Sequence, residues 1–325
     1  METKIVYVLV SEEADYYYEM LLLSLYSLRI YHPKDIVEIV MDDTTYWRLV
    51  EKKAPVLDDV TPIVVSIPSE YTQMQRSRYL KTRLRQIVKG DFLFLDGDTL
   101  ICDSLKDIDK TNADIAMVPD GNRILRHNDI NQIELCEKSG FGSLDCEPYY
   151  NSGVVFCRDC HSTDKLYESW HYYWRQAVQN GVSNDQPALC QANSNLDYPI
   201  QELNGIWNYQ LLDSSAKRFS KHSKILHYWY VAKSGKSVGI ELLLGHIKQA
   251  GFVTEAVAQV AKNPRTTGHT VFTISDEKAL QFFFSDFFYA FDSVSPLYKF
   301  CLKLYRRLIG PVQALSRIKQ SLSHR

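Results

Sequence analysis

Asp96-Gly97-Asp98 sets two carboxylates two positions apart at the end of Phe92-Leu93-Phe94-Leu95, an uninterrupted apolar run. Such a run reads as a strand buried on both faces, as in the middle of a mainly parallel sheet. Negative charge at the end of a buried strand is costly unless something positive sits beside it. The carboxyl edge of an open α/β sheet is also where ligands bind. Gly97 removes a side chain between the acids and would let a ligand approach the backbone. The stretch points to a divalent metal held by Asp96 and Asp98, with its other positions left to phosphate oxygens and water. The plainer alternative is an acidic turn that closes a strand.

A second pattern is set aside. Cys157-Arg158-Asp159-Cys160-His161 has the haem-attachment spacing, and its Cys pair could open a zinc site. But Cys157 ends the apolar run Val154-Val155-Phe156, and no second Cys pair completes four ligands. The seven Cys are scattered through the chain, which fits a reducing cytoplasm better than a disulfide framework. Met1-Glu2-Thr3-Lys4 leads straight into a short strand, so no export signal is expected. No apolar run reaches the roughly 18 residues of a membrane span.

The elements that must position the two acids follow from apolar periodicity. Ile5–Val10 reads as a strand, Tyr16–Tyr31 as a buried helix stopped by His32-Pro33, and Ile36–Met41 as a second strand. Asp42-Asp43-Thr44 can cap a helix running through Leu49, and Thr61–Ile67 is a third strand. Gln75–Val88 is a helix rich in Arg and Lys, broken at Gly90 before the acidic strand. This β-α-β-α-β-α-β order predicts right-handed parallel units in a doubly wound α/β sheet. Beyond it, Asp114–Val118 and Tyr150–Phe156 read as strands, 164–179 and 184–193 as helices, and Lys224–Tyr230 as a late strand. Residues 120–148 form a loop-rich excursion with a little helix.

At 325 residues the chain has room for one large α/β domain and an appendage. The expected division is 1–238 for the α/β domain and 239–325 for a helical C-terminal extension. The formal net charge of −2 hides an asymmetry: Pro296–Arg325 holds seven basic and no acidic residues, leaving −9 for the remainder. There, Leu297, Phe300, Leu304 and Leu308 alternate with Lys299, Lys303, Arg306 and Arg307, after a Phe-rich cluster at 282–291. An apolar face beside a cationic one predicts a helix on an anionic membrane surface. The alternative is a helix packed on the main domain with its basic face in water.

Taken in order, Arg78-Tyr79-Leu80-Lys81, Asp96-Gly97-Asp98, Asn151-Ser152-Gly153-Val154, Asn184-Asp185-Gln186, and His227 with Lys233 make a stronger pattern than any piece alone. Over residues 4–235 the chain resembles the GT-A-fold glycosyltransferases. Within them it resembles family eight, the group of glycogenin and the bacterial lipopolysaccharide galactosyl- and glucosyltransferases. It departs from that pattern at Tyr230, where the family usually has Gly, and at Ser234, where it has Pro. Arg78 is displaced by one residue, and the Val10–Asp15 loop is longer than usual.

The resemblance implies a UDP-sugar donor and a manganese ion, or magnesium, held by Asp96, Asp98 and His227. A metal bridging both phosphates neutralises the departing diphosphate. Lys233 would hold that diphosphate, Arg78 would contact diphosphate or sugar, and Lys81 would brace the site. Arg83 and Arg85 read as a solvated basic face. Tyr16 or Tyr17 would stack on uracil. Asn151, Asp185 and Gln186 match residues that hold the transferred sugar, although Asn184 or Asp185 could equally cap a helix. Asn208 would support the acceptor side. The family retains anomeric configuration, and Gln186 would sit nearest the reacting carbon, with Asp185 the other candidate.

The expected function is therefore transfer of a hexose, UDP-glucose or UDP-galactose being the favoured donors, to a glycan or lipid-linked acceptor. The place would be the cytoplasmic face of a membrane, in lipopolysaccharide or capsule synthesis, with no nucleic-acid partner. A phosphatase of the haloacid-dehalogenase type, with Asp96 as nucleophile, is the alternative. It wants Thr or Val four residues after that acid, where this chain has Leu100. Asp96→Ala should abolish manganese-dependent transfer, measured as nucleotide release; full retention would refute the metal assignment.

Overall fold

Phe92 and Phe94 face one side of the central strand and Leu93 and Leu95 the other, and all four are at most 1% exposed. That alternation divides the core in two. A computed structural model describes residues 1–122, 130–142, 148–211, 214–228 and 238–265. Its first half runs β1 (Lys4–Leu9), α1 (Tyr17–Tyr31), β2 (Val37–Asp42), α2 (Asp43–Glu51), β3 (Thr61–Val65), α3 (Gln73–Lys81), α4 (Leu84–Ile87) and β4 (Phe92–Leu95). The four strands lie in the order β3-β2-β1-β4, all parallel. Leu93 and Leu95 pack with Leu21, Leu25 and Leu28 of α1. Phe92 and Phe94 pack with Leu80, Leu84, Trp170 and Trp174.

Asp42 caps α2 by accepting from the Thr45 backbone N–H at 2.9 Å, as its place before the helix predicts. The helix expected over 75–88 forms in two pieces. The Thr82 hydroxyl between them donates back to the Arg78 carbonyl at 2.9 Å, a local bond that competes with helix continuation. Arg85 is a correction to the solvated basic face: it is 2% exposed. It donates to the Gly90 carbonyl at 2.9 Å and pairs with Asp159 at 3.0 Å.

Beyond β4 the chain runs β5 (Thr99–Ile101), β6 (Ile115–Pro119), α5 (Ile130–Lys138), β7 (Tyr150–Cys157), α6 (His161–Gln179), α7 (Gln186–Asn195), β8 (Gln201–Glu202), β9 (Tyr209–Gln210), β10 (Ile225–His227), α8 (Val238–Ala250) and α9 (Glu255–Lys262). The main sheet is completed as β3-β2-β1-β4-β7-β6-β8, with β7 antiparallel to both neighbours. Because β7 runs backwards, its first residues lie beside the carboxyl end of β4. The Asp96 N–H donates to the Gly153 carbonyl at 2.8 Å. β6 runs with β4 and ends at the same edge, bringing Asp120 there.

β10 falls within the late strand expected over Lys224–Tyr230, but the second sheet it forms with β5 and β9, in the order β5-β10-β9, is not revealed by sequence periodicity. β5 follows the acidic turn directly and pairs antiparallel with β10, so that Thr99 faces His227. Two buried serines of α1 support it: Ser27 accepts from the Ile101 N–H at 2.9 Å, and Ser24 bonds the Thr99 hydroxyl at 3.1 Å. The Thr99 hydroxyl in turn donates to the Asp96 carbonyl at 2.8 Å.

α8 and α9 bury Ile240, Leu244, Ile247, Val257 and Val260 in a core shared with Met20 and Leu23 of α1. The described residues all fall within the unit Met1–Ser275. Among them, no helix is long and apolar enough to cross a membrane. The Phe-rich cluster, the basic stretch 296–325, Lys233, Tyr230 and Ser234 lie outside the described residues.

Candidate active site

Asp98 ends the turn after β4, and His227 ends β10, whose partner β5 begins one residue after Asp98. That register puts His227 Nε2 3.2 Å from Asp98 Oδ1. With Asp96, they form a group whose ligand atoms all lie within 4.8 Å of one another. Two carboxylates and an imidazole so close together could hold a metal ion.

The ring of His227 is oriented from behind. Nδ1 lies 3.1 Å from Asn208 Oδ1, and the amide of Asn208 donates through Nδ2 to Asn151 Oδ1 at 2.9 Å. Asn151 Oδ1 also accepts from the Gly153 N–H at 3.0 Å, while its Nδ2 donates to Asp120 Oδ1 at 3.0 Å. A carboxylate can only accept and a backbone N–H can only donate, so both amides have one polarity. His227 must then carry its proton on Nδ1 when neutral, leaving the Nε2 lone pair towards the acids. Outer partners of this kind hold metal-binding histidines in tautomer and orientation. Asn208 is fully buried behind the histidine.

Gly153 makes room for that ring. A Cβ there would lie 2.4 Å from His227 Cε1 and 2.9 Å from Nδ1, closer than real contacts allow. A Cβ at Gly97 would point at the α1 backbone, at an ordinary 3.8 Å from Leu21 N.

The counter-charges come from α3. Lys81 is 2% exposed; its Nζ donates to Asp96 Oδ1 at 3.1 Å and Oδ2 at 3.0 Å. Arg78 Nε lies 3.0 Å from Asp185 Oδ1, near enough for an ion pair though out of line for a hydrogen bond. Asp185 Oδ2 accepts from the Ser152 hydroxyl at 2.8 Å. Burial works against ionisation of Asp185, but Lys81, Arg78 and Ser152 outweigh it and hold its pKa below the ordinary carboxylate value. Asp185 stands at the start of α7 but makes no side-chain cap, so its carboxylate serves the site and not the helix.

Gln186 Nε2 donates to Asp120 Oδ1 and to the Tyr150 carbonyl, each at 3.1 Å, and its Oε1 has no hydrogen-bond partner among the described residues. Tyr17 opens α1 and is 39% exposed, within electrostatic reach of Arg78 and Asp98. Tyr16 is covered instead by the Lys248 ammonium, 5.1 Å from its ring centroid. Asp96, Asp98, His227, Lys81, Arg78, Asp185, Gln186 and Asn151 therefore converge on one edge. Asp120 escapes sequence reasoning, although an acid just beyond the predicted strand 114–118 was a usable signal.

No family model and no curated protein sequence matches the chain. Solved structures do. The galactosyltransferase LgtC, solved with donor and acceptor sugar analogs, is similar over 78% of this chain and 98% of its own, with TM-score 0.50 and 15% identity. Mouse xyloside xylosyltransferase 1 is similar over 70% of this chain and 97% of its own, with TM-score 0.47 and 13% identity. The glycosyltransferase GlyE of Streptococcus pneumoniae TIGR4 is similar over 84% of this chain and 66% of its own, with TM-score 0.45 and 15% identity. The likeness to LgtC establishes the fold, which is GT-A.

Two outcomes follow from the geometry. Gly153→Ala should displace the His227 ring and weaken Mn²⁺ binding by about tenfold or more, read by calorimetry on a folded protein. Burial pushes the His227 pKa down, but Asp98, with Asp96 behind it, outweighs burial and raises it. Metal must displace the proton so favoured, so Mn²⁺ affinity should fall on acidification, beginning above the ordinary histidine value of 6.5.

Proposed function

We propose that this chain is a metal-dependent glycosyltransferase that moves a hexose from a UDP-sugar to a glycan or lipid-linked acceptor with retention. The observation that carries the reading is the meeting of Asp96, Asp98 and His227 at the carboxyl edge of a GT-A sheet. Manganese, or magnesium, bound by these three would neutralise the diphosphate as it leaves. Arg78 and Lys81 supply fixed positive charge on the same side, and Lys233 is assigned to the diphosphate from the resemblance alone. Tyr17 is the better placed of the two tyrosines to stack on the base.

Asn151, Asp185 and Gln186 line the place for the transferred sugar. Asp185 is neutralised by Arg78, Lys81 and Ser152, which weakens it as a nucleophile. Gln186 keeps a free carbonyl oxygen, able to stabilise positive charge at the reacting carbon without bonding to it. A front-face route, in which the leaving phosphate takes the acceptor proton, suits that pair. UDP-glucose and UDP-galactose remain the favoured donors, and lipopolysaccharide or capsule glycans the favoured products. The basic stretch 296–325 is assigned to an anionic membrane surface at its cytoplasmic face. The phosphatase alternative draws no support from the fold.

A panel of UDP-sugars with Mn²⁺, scored for UDP release, tests the reading. Release should be confined to one or two hexoses, stop with EDTA, and vanish in Asp98→Ala. Release from none of them, in a protein that binds Mn²⁺, would overturn it.

A further inference from the structure

Lys248 lies near the end of α8, far along the chain from the loop that joins β1 to α1. Yet its Nζ donates to two carbonyls of that loop, those of Glu13 and Asp15, the second at 2.6 Å. The same ammonium covers the Tyr16 ring. All three contacts fall within Glu13–Tyr16.

From the other side, the loop is gathered by the Asp15 carboxylate. It accepts from the Ser11 hydroxyl at 3.1 Å, the Glu12 N–H at 2.6 Å and the Tyr17 N–H at 2.9 Å. Gln73 Nε2 adds a bond to Asp15 and reaches the Val10 carbonyl at 3.3 Å. Asp15 ties the loop internally, and Lys248 pins it from outside.

A lone exposed lysine ordinarily contributes little. This one differs in its acceptors and in its base. Both acceptors are main-chain carbonyls of a single short loop, and charge-assisted bonds are the stronger kind. Its helix is anchored by Ile240, Leu244 and Ile247, buried against Met20 and Leu23 of α1. Glu19, 6% exposed, lies within electrostatic reach of the Lys248 head.

The loop ends in Tyr17, at the carboxyl end of central strand β1, where ligands of such sheets bind. We infer that Lys248 is a positioning residue: it holds residues 10–16 in the shape that presents Tyr17 to the nucleotide base. α8, from the C-terminal helical region, thereby becomes part of the donor site. The identity of the ligand rests on the UDP-sugar reading above; the lock on the loop does not.

Full-length Lys248→Met and Lys248→Arg test this by amide hydrogen exchange over residues 10–17 without nucleotide, and by UDP titration with Mn²⁺. In Lys248→Met, exchange over 10–17 should quicken several-fold. UDP Kd and donor KM should rise about tenfold, the weight of one charge-assisted hydrogen bond. Values of kcat and Mn²⁺ affinity should stay within about twofold, and Lys248→Arg should restore most of the loss. Unchanged exchange over 10–17 overturns the lock. Faster exchange with unchanged UDP affinity overturns its link to the base. If the wild-type chain binds no UDP while the exchange difference stands, the donor reading fails, and the base as the loop's ligand fails with it.

Discussion

Asp96, Asp98 and Asp185 crowd three carboxylates onto the edge of a buried sheet, and the surrounding structure is shaped by the need to compensate them. Lys81 sits under Asp96, Arg78 beside Asp185, and His227 against Asp98. Leaving such groups unpaired in a half-dry setting would cost several kcal/mol each, on the order of the chain's whole stability margin. The fixed cations, Arg78 and Lys81, are both on α3 and are the two basic residues of that segment expected on this side. Arg85, buried on α4, turns away and ties the loop after α4 to Asp159.

The small sheet β5-β10-β9 converts a distant residue into a neighbour. Asp98 and His227 are separated by most of the fold's second half, and no local rule joins them. The pairing of Thr99 with His227 does so through backbone hydrogen bonds, which are specific in register. Around the imidazole, a glycine and two amides complete the fit. Gly153 leaves the space, while Asn208 and Asn151 impose the tautomer through bonds that end on Asp120 and on a backbone N–H. An apolar replacement of either amide would leave buried donors and acceptors unpaired, so the network is costly to break at any link.

The helices after the candidate site are joined to it as well. α8 and α9 share a core with α1, the helix that opens with Tyr17 and supports β5 through Ser24 and Ser27. Packing of these late helices and shape of the first loop are thus linked through one element. That linkage gives a physical reason for a GT-A sheet to carry a helical extension on this face.

Much was legible from residue types alone. The parallel β-α-β order, the doubly buried strand Phe92–Leu95, the cap at Asp42 and the acid pair all follow from periodicity and local chemistry, because each depends on neighbours close in sequence. The resemblance to a known family, and not residue chemistry alone, pointed to His227. What residue order could not decide was which side chains face one another across the fold. The burial of Arg85, the placing of Asn208 behind the histidine, the Asp120 node and the direction of Gly97 came only from tertiary structure. The Asp120 node depends on the antiparallel run of β7, and the placing of Asn208 on a three-stranded sheet built from very short strands. The short strands β5 and β9 carry too little periodicity to be read, and their partners are chosen by long-range packing.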